Sequence, residues 1–157
     1  MDATTDAARE LAAHLPDQLV AYLRGESRVL SDLEVELLVA VGADAYRDER
    51  WNDAAAMFRA CVLARPNSAR AWCCLAMCHD AIDDLERAEA LYALSAAAPE
   101  QGDVSHRIAV YRARALHALG RLDEAGEVLE SIEGDLDPSL EQLHSDLQRT
   151  LAGETRR

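Results

Sequence analysis

The sequence predicts an all-α fold: a solenoid of three helix-turn-helix repeats, with an N-terminal helical arm and a C-terminal capping helix. Three observations predict it. Leu38, Val41, Gly42, Ala54 and Phe58 return 34 residues later as Trp72, Leu75, Ala76, Ala88 and Tyr92, so large, small and aromatic residues recur at one interval. Within each stretch the apolar residues fall at helical spacing rather than in alternation. Half of the residues are apolar while aromatics make up only 4%, which with abundant alanine suits closely packed helices better than sheets.

The elements follow in order. Residues 1–30 form the arm, in which Leu11, Leu15, Leu19 and Leu23 step by four along one helical stripe. Pro16 would clash with the carbonyl one turn earlier, so the arm is expected as two short helices, the second ending at Gly25. It has no place in the 34-residue count, and its leucines must be buried either on the first repeat or on a second subunit. Ser31 and Glu34 have capping-box spacing and open a helix over 32–48. Its partner covers 51–65 and stops before Pro66. The second hairpin is predicted at 69–81 and 85–97, closed by Pro99. Asp83 and Asp84 lie in its turn, where carboxylates suit the free N–H groups of the next helix.

In both hairpins the small residues mark where two antiparallel helices approach closely, and the large ones fill the space on either side. This period and order of residues is that of the tetratricopeptide repeat. The three repeats are placed at about 35–68, 69–102 and 106–136, within a region spanning 31–136. Aligning the third on Gly120, Leu122, Ala125, Leu129 and Ile132 implies about three extra residues in the loop 100–105. It also puts Arg112 inward, where leucine is usual, so that Arg112 either snorkels, pairs with an acid, or marks a slip of register. Asp137 before Pro138 opens a capping helix over 137–152, with Leu140, Leu143, Leu147 and Leu151 on one face, and 153–157 is expected as a disordered tail.

Charge narrows the function. With 16 basic against 29 acidic residues the net charge is −13, which opposes binding to nucleic acid or to anionic membranes. The start MDATTDAARE is acidic where a signal peptide is basic, and no apolar run approaches the roughly 18 to 20 residues that span a bilayer. A cytoplasmic protein without membrane insertion is the expectation, with its four cysteines reduced.

Those cysteines, Cys61, Cys73, Cys74 and Cys78, invite a metal reading in which Cys74 and Cys78 share a helix face and reach one ion, with His79 or Cys61 completing it. A structural zinc site takes four converging ligands, typically two of them from a short C-x-x-C turn, which is missing here; buried small side chains are the better reading. His14, His106, His117 and His144 are dispersed, and there is neither a phosphate loop nor a nucleophile elbow. No catalytic residue, cofactor or metal is therefore assigned, and the chain is read as a non-enzyme. The repeats, by contrast, leave one face of each leading helix free. That inward-curving face collects Glu36, Val39, Ala43, Tyr46 and Arg47, then Arg70, Cys73, Met77, Asp80 and Ala81, then Arg107, Val110, Arg114 and His117. A peptide-binding groove is predicted there, with Val39, Ala43, Tyr46, Cys73, Met77 and Val110 as a mostly apolar strip, and Arg47, Arg70 and Asp80 at its border.

The run AYRDERWNDAAAMFRACVLARPNSARAWCCLAMCHDAIDDLERAEALYALSAAA, followed by HALGRLDEA, resembles the central repeats of the class II chaperones of bacterial type III secretion, which escort translocator proteins. The similarity covers about residues 30 to 134 and extends to size, acidity, the arm and the terminal helix. It implies a cytoplasmic homodimer with the arm, and so Leu11, Leu15, Leu19 and Leu23, in the dimer contact. It also implies a groove that takes an extended apolar segment of a translocator through the pockets formed at Val39, Ala43, Tyr46, Cys73, Met77 and Val110. A general tetratricopeptide adaptor, or a chaperone of the secretion needle subunit, is the alternative.

Overall fold

A computed structural model describes residues 30–154, which form seven helices: α1 (Asp32–Arg47), α2 (Trp51–Ala64), α3 (Ala69–Ala81), α4 (Leu85–Ala97), α5 (Ser105–Ala118), α6 (Leu122–Glu130) and α7 (Pro138–Glu154). The chain divides into two compact units, Met1–Pro66 and Asn67–Arg157. The predicted arm and its four leucines lie outside the described residues, as do residues 155–157.

In the first unit, α1 and α2 form one antiparallel hairpin. The capping box closes as expected: the Glu34 amide donates to the Ser31 hydroxyl at 3.3 Å, and the Ser31 amide donates to the Glu34 carboxylate at 2.8 Å. Ala45 and Ala54 are fully buried, and Phe58 fills the space beside them. The closest approach is at Gly42, where a Cβ would lie 2.8 Å from the Phe58 ring and 3.1 Å from the Met57 Cβ. The end of α2 is tied back to the start of α1 by an ion pair between Arg65 and Asp32, but Asp32 is so exposed that this contributes little.

The second unit holds the α3–α4 and α5–α6 hairpins and α7. The hairpin geometry of the first unit recurs with Ala76 and Ala88 at the contact and Tyr92 in place of Phe58, all three fully buried. One turn closes all three hairpins. The amide of Arg50 donates to the Ala45 carbonyl at 2.9 Å, Asp84 to His79 at 2.9 Å, and Arg121 to Leu116 at 2.9 Å. The preceding residue, or for Arg121 the glycine before it, has a left-handed backbone: φ is 60° at Glu49, 63° at Asp83 and 77° at Gly120. The turn is thus set by the hairpin, and only the third repeat relieves it with glycine.

Two expectations are corrected here. Asp84 does not cap α4 with its side chain; its carboxylate faces the His79 Nδ1 at 3.2 Å and the Arg87 guanidinium at 3.3 Å instead. The tail starts later than predicted, because Gly153 and Glu154 extend α7 by another half turn beyond 152. The start of α7 is as read: the Asp137 carboxylate accepts from the Ser139 hydroxyl and from the amides of Leu140 and Ser139 at 3.1 and 3.0 Å, and these bonds, the hydroxyl first, hold its carboxyl below the usual range, with Pro138 in the first helical position.

The inserted loop has a structural use. Glu100 exchanges backbone hydrogen bonds with Asn67 and Ala69, both 3.0 Å, pinning the exit of α4 to the entry of α3. Gln101 then donates its amide to the carbonyls of Ser95 and Ala96 at 3.1 Å and of Ala98 at 2.5 Å, satisfying the end of α4. The open question at Arg112 is answered by Glu89: a buried carboxylate on α4 accepts from Arg112 at 3.0 Å and from Arg121 at 3.1 Å. The register is correct, and an ion pair replaces the usual leucine. Finally, Leu140, Leu147 and Leu151 of α7 are buried with Val110, Ala113, Leu116, Ala125 and Leu129, so α7 caps the apolar side of α5 and α6.

Two substitutions test these contacts. Gly42→Ala forces Phe58 or the helices apart and is expected to destabilise the chain by about 1–3 kcal/mol in urea denaturation, whereas an exposed control, Ala40→Gly, costs about 1 kcal/mol at most. Glu89→Ala leaves Arg112 without its partner and costs about 2 kcal/mol; adding Arg112→Leu restores most of the loss, so the double-mutant cycle shows strong coupling.

Candidate peptide-binding surface

The predicted site residues sort by burial. On α1, Val39, Ala43 and Tyr46 are spaced by four and three residues along one face, and all are half-buried, with Arg47 exposed at the end. Tyr46 is positioned by Trp51 from the start of α2, the two rings meeting edge to face at 4.8 Å. This face therefore offers apolar surface held by a rigid aromatic pair.

In the second unit, Arg70 is exposed and Met77 is half-buried, lying against a core that includes Cys73, Ala76, Tyr92 and Ile108. Cys73 and Val110 do not belong to the exposed strip. Cys73 is only 2% exposed and Val110 is fully buried. The physical reason is crowding: α5 packs against α3, α4, α6 and α7, so positions left free by the two helices of an isolated hairpin are covered by additional neighbours. Cys74 and Tyr111, each next to one of these buried positions, are half-exposed. The sequence presents Cys74 as a buried small side chain or a metal ligand and gives Tyr111 no role, although each directly follows a predicted groove position.

Asp80 is a positioning group rather than a free charge. Its carboxylate accepts from Arg114 at 2.5 Å and from the Tyr92 hydroxyl at 3.0 Å. Burial pulls the Arg114 guanidinium down, but Asp80 outweighs it and leaves the guanidinium above its ordinary value. Burial first, then Asp80, push the Tyr92 phenol far up. The Arg114 guanidinium also lies 5.0 Å over the Tyr111 ring, which meets Tyr92 edge to face at 6.2 Å. Asp80, Tyr92, Arg114 and Tyr111 thus lock one side of this surface.

The thiols are arranged for packing. Cys61, Cys73 and Cys78 are buried and Cys74 is half-buried. Burial, reinforced by the neighbouring Cys74, pushes the Cys73 thiol up to about 12; burial also raises Cys74, against the opposing charges of Arg70 and Arg107. Among the described residues no three His, Cys, Asp or Glu side chains converge as a metal site, and no helix is long and apolar enough to cross a membrane. In the native chain at pH 8, iodoacetamide is expected to modify Cys74 slowly and first, while Cys73, its thiol kept protonated by burial and without access, reacts only on unfolding. Mass-spectrometric mapping checks the order; early labelling of Cys73 contradicts the burial.

No protein-family model matches the chain and no curated protein matches it. Solved structures do. PcrH, in complex with the chaperone binding region of PopD, is 25% identical over 83% of this chain and 97% of its own, with a TM-score of 0.64. The Yersinia enterocolitica type III secretion chaperone SycD, in complex with a peptide of the translocator YopD, is 22% identical over 81% of this chain and 95% of its own, at 0.67. The first tetratricopeptide repeat domain of Spaghetti (RPAP3), bound to an HSP90 peptide, is 16% identical over 82% of this chain and 98% of its own, at 0.69. The chain therefore has the all-α tetratricopeptide-repeat fold of the type III secretion translocator chaperones.

Proposed function

We propose that this chain is a cytoplasmic chaperone of type III secretion that holds an extended apolar segment of a translocator protein, keeping it soluble and competent for secretion. The observation that carries this reading is the match to PcrH with its bound PopD region, which spans nearly all of PcrH at the highest identity among the structures compared above. The half-exposed apolar positions on the leading helices supply the chemistry: Val39, Ala43 and Tyr46 on α1, and Met77 with Cys74 on α3. Burying such side chains against an apolar client contributes about 25 cal/mol per Å2, less the cost of ordering the segment. No nucleotide or metal enters this mechanism.

A second reading, a general tetratricopeptide adaptor, is favoured by the match to the HSP90-peptide-binding domain, which has the higher TM-score. Against the heat-shock type of adaptor alone, Val39 and Ala43 stand where a lysine and an asparagine would bind a terminal carboxylate. A homodimer formed through Leu11, Leu15, Leu19 and Leu23 completes the proposal.

Ala43→Glu and Met77→Glu each place a charge on the half-exposed face of one unit while keeping good helix formers, and they spare Tyr46, whose ring packs on Trp51. Each is expected to abolish co-purification of a co-expressed translocator protein, with circular dichroism and melting temperature nearly unchanged. Undiminished co-purification sinks the assignment of these faces. Removal of residues 1–30 is expected to yield a monomer in analytical ultracentrifugation; a persisting dimer places the contact elsewhere.

A further inference from the structure

Acidic residues outnumber basic ones by 29 to 16, and most described arginines are matched to a carboxylate. Among the described residues, Arg59, Arg70 and Arg107 are not, although acids are in surplus. Arg59 stands by itself on α2, but Arg70 and Arg107 come together in the second unit. Helices α3 and α5 touch and run side by side, linked at one end by the 2.5 Å bond between Asp80 and Arg114. Two helical turns back, on the same faces, α5 presents Arg107 and α3 presents Cys73, with Arg70 one turn further. The Cys74 thiol accordingly feels both guanidinium charges.

This placement is electrostatically adverse. Helices α1, α2, α4, α6 and α7 each carry an acid in the first turn, whereas α3 and α5 have none and carry Arg70 and Arg107 there, against the positive end of the helix. Asp137 feels the charge of Arg107, but its carboxylate is engaged by Ser139 and Leu140. Two exposed like charges at disfavoured positions, both felt by the half-exposed Cys74, would be stabilised by an anion supplied from outside the chain.

We propose that Arg70 and Arg107 form a seat for the side-chain carboxylate of an internal Asp or Glu in the bound client segment, whose flanking apolar residues pack on Met77 and Cys74. This rests on the peptide-holding function above and adds the partner's chemistry: an apolar segment with one acid at a fixed place. The acid belongs to an internal side chain because the seat adjoins apolar surface that an extended segment must continue across.

The probe is a set of fluorescein-labelled decapeptides on a common Leu- and Ala-rich frame, amidated at the C-terminus, with Glu, Gln or Arg at each position in turn. A Gln version with a free C-terminal carboxylate completes the set. Fluorescence anisotropy against the full chain is expected to show the best Glu peptide binding about tenfold tighter than its Gln counterpart. The Arg70→Gln/Arg107→Gln variant is expected to bring the Glu and Gln peptides to equal affinity, with the melting temperature unchanged or raised, since a repulsion is removed. Equal binding of Glu and Gln peptides to the unmodified chain, or a preference that survives in the variant, overturns the seat but leaves the chaperone reading standing. Tighter binding of the free-carboxylate peptide reassigns the seat to a chain terminus and overturns the internal-acid proposal. A lower melting temperature shows the two arginines to be structural, which also overturns it. Absence of binding by every peptide strikes the peptide-holding function and this inference together.

Discussion

Everything in both units follows from how closely the two helices of a hairpin approach. At the first contact there is no room for a Cβ on residue 42, since the Phe58 ring would lie at 2.8 Å. Such closeness gives the first two hairpins dense packing around one aromatic ring, Phe58 or Tyr92, but it also fixes the connection. The same backbone turn, with one left-handed residue, closes the hairpins at Glu49, Asp83 and Gly120. Two of those residues adopt the conformation without being glycine, so packing of the helices overrides the local preference of the turn.

Helix boundaries and repeat register were legible because they depend on this local constraint. The α3 and α4 limits coincide with those read from the sequence, and Arg112 falls where the alignment on Gly120 and Ala125 puts it. What the sequence could not disclose is what lies beyond a hairpin. Val110 and Cys73 occupy the face a hairpin leaves free, yet both are covered, because α5 has helices on several sides. Periodicity reports one buried stripe per helix, and a helix with four neighbours has more than one. Side-chain partners were hidden for a related reason: Asp84 looks like a helix cap by position, but the His79 imidazole and the Arg87 guanidinium claim its carboxylate.

The interior charges show how the repeat accommodates departures from its pattern. Arg112 replaces an apolar residue, and with Arg121 it neutralises the buried carboxylate of Glu89. Arg114 does the same for Asp80, which also receives the Tyr92 hydroxyl. A buried charge without its partner costs far more than the pair contributes, so each such substitution needs its counterpart within reach. Arg70 and Arg107 lie outside this logic, for they are exposed, where an unmatched charge is tolerable and can serve a second molecule.

A holder of apolar segments has to satisfy two opposed demands, burying enough apolar surface to fold while leaving enough of it accessible to a client. The division of labour here runs along single helices. On α3, Cys73, Ala76 and Cys78 go into the core, while Cys74 and Met77, one residue away from them, remain half-exposed. Because neighbouring residues on a helix differ by about 100° in direction, one short element can serve both demands without compromise between them. The small size of the core residues is what makes room for this. Alanine and cysteine at the contacts draw the helices together, so stability comes from close backbone packing rather than from large side chains, and the larger flexible Met77 is free to adapt to what it meets.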